Sequence, residues 1–127
     1  MPQHSVPRPT DSELAILRVL WERGPSTVKQ LNRVMGEEKE IGYTTTLKFI
    51  QIMTEKGLVV RDESDWPHVY QAAFTEERTQ KQLVRDLLQK AFAGSTGKLV
   101  LRALSAKKVS AEERAEIQKL LDELEGE

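Results

Sequence analysis

Residues 43–74, YTTTLKFIQIMTEKGLVVRDESDWPHVYQAAF, change periodicity halfway along. Up to Lys56 the spacing is helical: at 100° per residue, Thr46, Phe49, Ile50 and Met53 share one side, with Ile52 at its margin. Thr44, Lys48, Gln51 and Glu55 fall opposite, flanked by Thr45 and Leu47. Gly57 then ends the helix. LVVRDE and HVYQAAF follow, rich in β-branched and aromatic residues, with SDWP between them. That pattern predicts a β-hairpin with a short tip.

Working outward, two more helices precede this segment. Thr10 or Ser12 caps the first, and Thr10 has Glu13 three residues on, the capping-box spacing. Leu14, Leu17, Leu20 and Trp21 form its stripe, and RGPS stops it. Thr27 and Gln30 make a second capping-box match. Val28, Leu31, Val34 and Met35 follow at helical spacing until GEEKEIG breaks the pattern. Beyond Phe74 helical spacing returns three times. Leu83, Leu87, Leu88 and Phe92 mark one helix ending at Gly94. Leu99, Val100, Leu101, Ala103 and Leu104 mark the next, after a Ser95 or Thr96 cap. Ile117, Leu120, Leu121 and Leu124 mark the last, capped by Ser110 with Glu113 as partner.

The fold expected is mainly α: a winged helix-turn-helix, three helices plus a β-hairpin wing, followed by a three-helix region. Residues 1–10, with three prolines, read as a flexible arm. Residues 11–74 form the winged-helix domain and 75–127 the helical region. Those last helices bury little among themselves, so either a second copy of the chain covers their apolar faces or they pack back on the winged helix. The first alternative makes Leu83, Leu87, Leu88, Leu99, Val100, Leu104, Ile117, Leu120, Leu121 and Leu124 dimerisation residues.

Composition narrows the function classes. The 127 residues are 39% hydrophobic and 31% charged with net charge −1, which suits a folded domain rather than a disordered chain. No apolar run approaches the roughly 20 residues needed to span a bilayer. MPQHSVPRPT lacks the apolar core of a signal peptide, so a soluble cytoplasmic protein is expected. With no Cys there is no disulfide, thiolate metal site or Cys nucleophile. His4 and His68 are the only imidazoles, no Gly-rich phosphate loop occurs, and the neighbouring Glu112 and Glu113 point apart on a helix. Neither an enzyme nor a cofactor or metal site is expected. Charge is balanced along the chain, with nine Lys/Arg against ten Asp/Glu in residues 1–74 and ten against ten thereafter. A nucleic-acid face would have to be local.

Element order places such a face on the third helix, which enters the major groove in helix-turn-helix proteins. Lys48 suits phosphate or guanine, Gln51 suits adenine, and threonine hydroxyls suit either base edges or phosphates. Tyr43, Thr44 and Thr45 stand at the helix start, where capping competes with a DNA role. Thr46 has a core reading. Arg61 on the wing is a phosphate candidate, while Asp62, Glu63 and Asp65 at the tip would repel DNA. A winged-helix protein–protein adaptor would use the same face. A ligand-responsive regulator, with a pocket at a dimer seam, is the third option.

These stretches resemble the penicillinase-repressor family of bacterial winged-helix transcriptional regulators, the BlaI/MecI/CopY type, from about Pro9 to Glu125. PTDSELAILRVLW resembles the family's opening helix, and GYTTTLKFIQIMTEKGLVVR its recognition helix and first wing strand. HVYQAAFT resembles the second strand, and FAGSTGKLVLRALS a helix of the dimerisation region. The resemblance implies a homodimer that binds a palindromic DNA operator and represses transcription. It aligns Thr45 with the family's recurrent Thr, and Thr44, Lys48 and Gln51 with surrounding exposed positions. It also implies release by a membrane sensor protease that cuts the helix containing LVLRALS, at the position of Arg102–Ala103 here. Three positions depart from the family pattern. Leu47 stands where some relatives carry Arg, Asp65–Trp66 where Gly–Arg is common, and Arg102–Ala103 where the relatives' cut bond is Asn–Phe. The copper-responsive branch uses C-terminal cysteines, which this chain lacks.

Overall fold

The computed structural model of the chain describes residues 6–38 and 40–126. Thr10 opens α1 (Asp11–Arg23) with a complete capping box. The Glu13 N–H donates to the Thr10 hydroxyl (3.2 Å), and the Thr10 N–H donates to the Glu13 carboxylate (2.9 Å). Thr27 and Gln30 repeat the arrangement at the start of α2 (Val28–Glu38). That helix continues through Gly36, Glu37 and Glu38, where the sequence pattern predicts a break. A lone glycine costs a helix only about 1 kcal/mol, too little to end it.

The third helix, α3, spans Tyr43–Lys56. Its cap is Gly42, without a side-chain hydrogen bond, so none of the three threonines caps it. Gly57 takes the left-handed conformation (φ 83°) that favours glycine and turns the chain into the wing. Strands β1 (Val59–Asp62) and β2 (Val69–Ala72) pair antiparallel, with Val59 opposite Ala72 and Arg61 opposite Tyr70. The wing gains a further bridge that the sequence does not announce. Ser26, between α1 and α2, exchanges both backbone hydrogen bonds with Tyr70, at 2.8 and 2.9 Å.

One core joins these elements. Ile16, Leu17 and Leu20 enter it from α1, Val28 and Leu31 from α2, and Ile50 and Met53 from α3. Leu58, Val59 and Tyr70 close it from the hairpin. Three polar links brace it. The Asn32 side-chain amide donates to the Ile41 carbonyl (2.7 Å) and to the Thr46 hydroxyl (3.1 Å), so α2 holds the entry of α3. Trp21 Nε1 donates to the Phe74 carbonyl (3.0 Å). The Lys56 ammonium meets the buried Glu13 carboxylate at 2.6 Å and donates to the Arg8 carbonyl at 3.1 Å. Within residues 6–10, read from the sequence as part of a flexible arm, Val6 is buried and the Arg8 carbonyl accepts from Lys56 at the end of α3. Residues 1–5 of that arm, His4 included, lie outside the described residues.

The helices α4 (Glu76–Phe92), α5 (Thr96–Ala106) and α6 (Ala111–Glu125) complete the mainly α fold. Ser95 is the residue that caps α5, and Ser110 caps α6. At Ser110 the box is one-sided, because the Glu113 carboxylate takes the serine hydroxyl rather than its N–H (3.4 Å). The chain forms two compact units, the first ending at Val84 and the second starting at Arg85. The division lies inside α4, beyond the 74/75 boundary read from the sequence. Thr79, on the first turns of α4, is buried. Among the described residues, no helix is long and apolar enough to cross a membrane.

Candidate nucleic-acid interface

The polar face of α3 is built by what its opposite face buries. Thr46, Ile50 and Met53 are almost fully buried, so Thr44, Thr45, Lys48, Gln51 and Glu55 are turned out and exposed. Thr46 is the core threonine, its hydroxyl satisfied by Asn32. Among the described residues, the hydroxyls of Thr44 and Thr45, the Lys48 ammonium and the Gln51 amide have no hydrogen-bond or ion-pair partner. Four polar side chains thus stand on one helix face without a partner among the described residues. Leu47, expected at the flank of this face, is half-buried against the core instead.

A groove of about 570 Å³ opens beside that face. Tyr43, Leu47 and Gln51 line it from α3, and Thr27, Val28 and Lys29 from the start of α2. The wing closes it with Arg61, Trp66, Pro67, His68 and Tyr70. Register explains the wing's share, since paired residues in an antiparallel ladder share a face: Arg61 lies opposite Tyr70 and looks into the same groove. None of the lining residues is acidic.

The wing carboxylates are partly spent within the wing. Asp62 accepts from the Ser64 hydroxyl (2.6 Å) and the Ser64 N–H (2.9 Å), and these bonds hold its carboxyl below the ordinary value. Glu63 forms an ion pair with Arg61. Arg61 offsets the charge of Glu63, whereas Asp62, bonded only to the neutral Ser64, stays ionised. Sequence reading placed Tyr43, Gln51 and Arg61 in this region but missed the contribution of Lys29, Thr27 and the exposed Trp66. Lys29 carries a signal, lying one residue into a capped helix.

In the second unit, α5 and α6 contain no buried residue. Leu87, Val100, Leu104, Leu120, Leu121 and Leu124 are each between 39% and 56% exposed. Leu88, Leu99 and Ile117 are half-buried, and Leu83 falls in the first unit. Arg102 and Ala103 are exposed in the middle of α5.

Comparisons with known proteins agree with this architecture. The transcriptional regulator BlaI of Mycobacterium tuberculosis, from two strains, is 28% identical over 116 residues, covering 91% of this chain and 83% of the relative. The solution structure of the DNA-binding domain of the repressor BlaI superposes with a TM-score of 0.52 at 16% identity, over 58% of this chain and 90% of that one. The structure of hsRosR-SG in a complex gives 0.53 at 20% identity, over 96% and 97%. At these identities the two structures speak for the fold. The penicillinase repressor profile matches residues 9–123, from the last proline before the α1 cap almost to the end of α6. The chain belongs to the penicillinase-repressor family of transcriptional regulators, not enzymes.

Proposed function

We propose that the chain acts as a homodimeric repressor that places two copies of α3 in successive major grooves of a palindromic operator. The observation that carries this reading is the donor-rich face of Thr44, Thr45, Lys48 and Gln51, turned out by a buried face and left without partners among the described residues. Lys48 and the threonine hydroxyls contact phosphates and fix register, while Thr45, Lys48 and Gln51 read base edges. Leu87, Val100, Leu104, Leu120, Leu121 and Leu124 supply the apolar area for pairing two chains, and a two-fold axis in the protein matches a two-fold operator.

Release by a membrane sensor protease completes the proposal. The bond Arg102–Ala103 is exposed but lies within α5, so cutting there requires that helix to open locally first.

Selection of random duplexes by the purified chain tests the central reading. An enriched palindrome, with half-sites one or more helical turns apart, is the expected result. Binding should also weaken steeply with salt, because phosphate contacts release counterions. Failure to enrich any sequence, with a flat salt response, would favour the protein–protein adaptor. That alternative rests on the acidic wing tip, of which Asp65 is the carboxylate without a partner among the described residues.

A further inference from the structure

We infer that the tip of the wing docks on the α1/α2 face of a second copy of the chain, with Trp66 seated in a hollow between Arg23 and Arg33. The contact is separate from the pairing of α5 and α6 and needs no DNA. Two open features carry it. The first is Trp66, 82% exposed and the most open of the large apolar side chains. A ring of that size left in water forgoes a large burial gain, and aromatic rings concentrate at protein interfaces. His68 meets it edge to face, with ring centroids 4.7 Å apart and planes at 78°, so the ring is supported within the wing before any partner arrives.

The second is a hollow of about 240 Å³ on the face of α1 and α2. Val19, Pro25 and Val34 give it apolar walls, Arg23 and Arg33 give it cations, and no carboxylate lines it. A closed cavity of about 150 Å³ admits a benzene ring, so this hollow has room for an indole. Arg23 and Arg33 are exposed and have no hydrogen-bond or ion-pair partner among the described residues. The wing tip carries the opposite charge. Asp62 and Asp65, on the same tip as Trp66, are exposed and have no ion-pair partner among the described residues. An apolar ring beside two carboxylates thus matches an apolar hollow between two guanidinium groups, which also favour the face of an indole. The chain's own wing does not supply the ring. Its strands pair in fixed register, Tyr70 bridges to Ser26, and Trp66 stays in water. The two surfaces differ, so the contact is heterologous, and each copy keeps one free tip or hollow for the next.

Sedimentation of the full chain without DNA tests this. The mass of wild type should keep rising with concentration beyond that of a closed two-fold pair. The series should reach about 1 mM protein, where even a contact with a Kd of about 1 mM is substantially formed. Trp66→Ala and the double variant Arg23→Glu/Arg33→Glu should each level off with unchanged melting temperatures, since all three residues are exposed. Each variant keeps the half that the other lacks. Mixing them should therefore restore the rise, which a defect in folding or in the pairing of α5 and α6 would not allow. Trp66→Phe should keep most of the association. The chain has two indoles, and Trp21 is half-buried with its N–H bonded to Phe74. The difference in acrylamide quenching between wild type and Trp66→Phe therefore reports Trp66, and it should fall severalfold at high concentration. Should wild type and Trp66→Ala sediment alike, or the mixture fail to regain the rise, the inference falls. Should Trp66 become protected only when duplex DNA is added, its occupant is nucleic acid and the inference falls as well. The DNA reading is judged separately, by duplex selection.

Discussion

Asn32 shows how a single polar side chain can govern a binding face without belonging to it. Its amide bridges the Ile41 carbonyl and the Thr46 hydroxyl, and so fixes where α3 begins relative to α2. Replacing it with Ala leaves two acceptors short of a donor, one of them buried. That should cost about 1–3 kcal/mol, read as a lower urea midpoint with an unchanged slope. Lys48→Ala should do the reverse. Lys48 is exposed and has no hydrogen-bond or ion-pair partner among the described residues, so the melting temperature should hold while operator affinity drops in a gel-shift titration. Equal affinity for the two proteins would remove Lys48 from the interface. The inward turn of Thr46 was legible from its helical phase alone. Asn32 was not, because one polar residue on an amphipathic helix gives no hint of which carbonyl it will meet.

At the level of elements, α3 was the most legible part of the chain. Gly42 and Gly57 bracket it, and its bounds in the structure are those the apolar spacing predicts. Elements that depend on distant partners were harder to see. The Ser26–Tyr70 bridge involves one residue on one side, too short to show any alternation. The groove arises only when the start of α2, α3 and the wing converge, so no stretch of sequence contains its signature. The clasp between Lys56 and Glu13 likewise joins the end of α3 to the start of α1 across 43 positions. Burial alone would raise the Glu13 carboxyl. The Lys56 ammonium, with the Thr10 N–H and hydroxyl, outweighs that and holds it below its usual value. A lowered native value means that the contribution to stability is present above the unfolded value and is lost as pH falls through the native one. Wild type should therefore lose more stability than Glu13→Gln on acidification from about pH 5 to pH 3. Parallel acid titrations of the two proteins would contradict this. Lys56→Met should cost about 1–3 kcal/mol near neutral pH, since it strands the buried Glu13.

For the whole molecule, the division inside α4 changes how the chain should be dissected. Ending at Phe74 would remove the buried Thr79 and the cation–π contact of Arg78 over the Phe74 ring (4.9 Å). Ending at Val84 keeps both. The 1–84 fragment should fold, run as a monomer in light scattering and bind operator half-sites weakly. A fragment that remained dimeric would overturn the assignment of pairing to the second unit. The amphipathic stripes of α5 and α6 were evident from spacing, but the continuation of the first unit into α4 was not. Thr79 gives no apolar signal, and its burial depends on what the rest of that unit places around it.

The absence of any buried residue in α5 and α6 has a consequence for dosage. Helices whose apolar side chains are at best half-buried within their own chain gain stability where they associate, and association obeys mass action. Under the proposed dimer, the melting temperature of the full chain should rise with protein concentration, while that of the 1–84 fragment should not. Operator occupancy then depends on copy number more steeply than linearly. Dilution by growth and division would loosen repression without any inducer, and a small rise in synthesis would restore it.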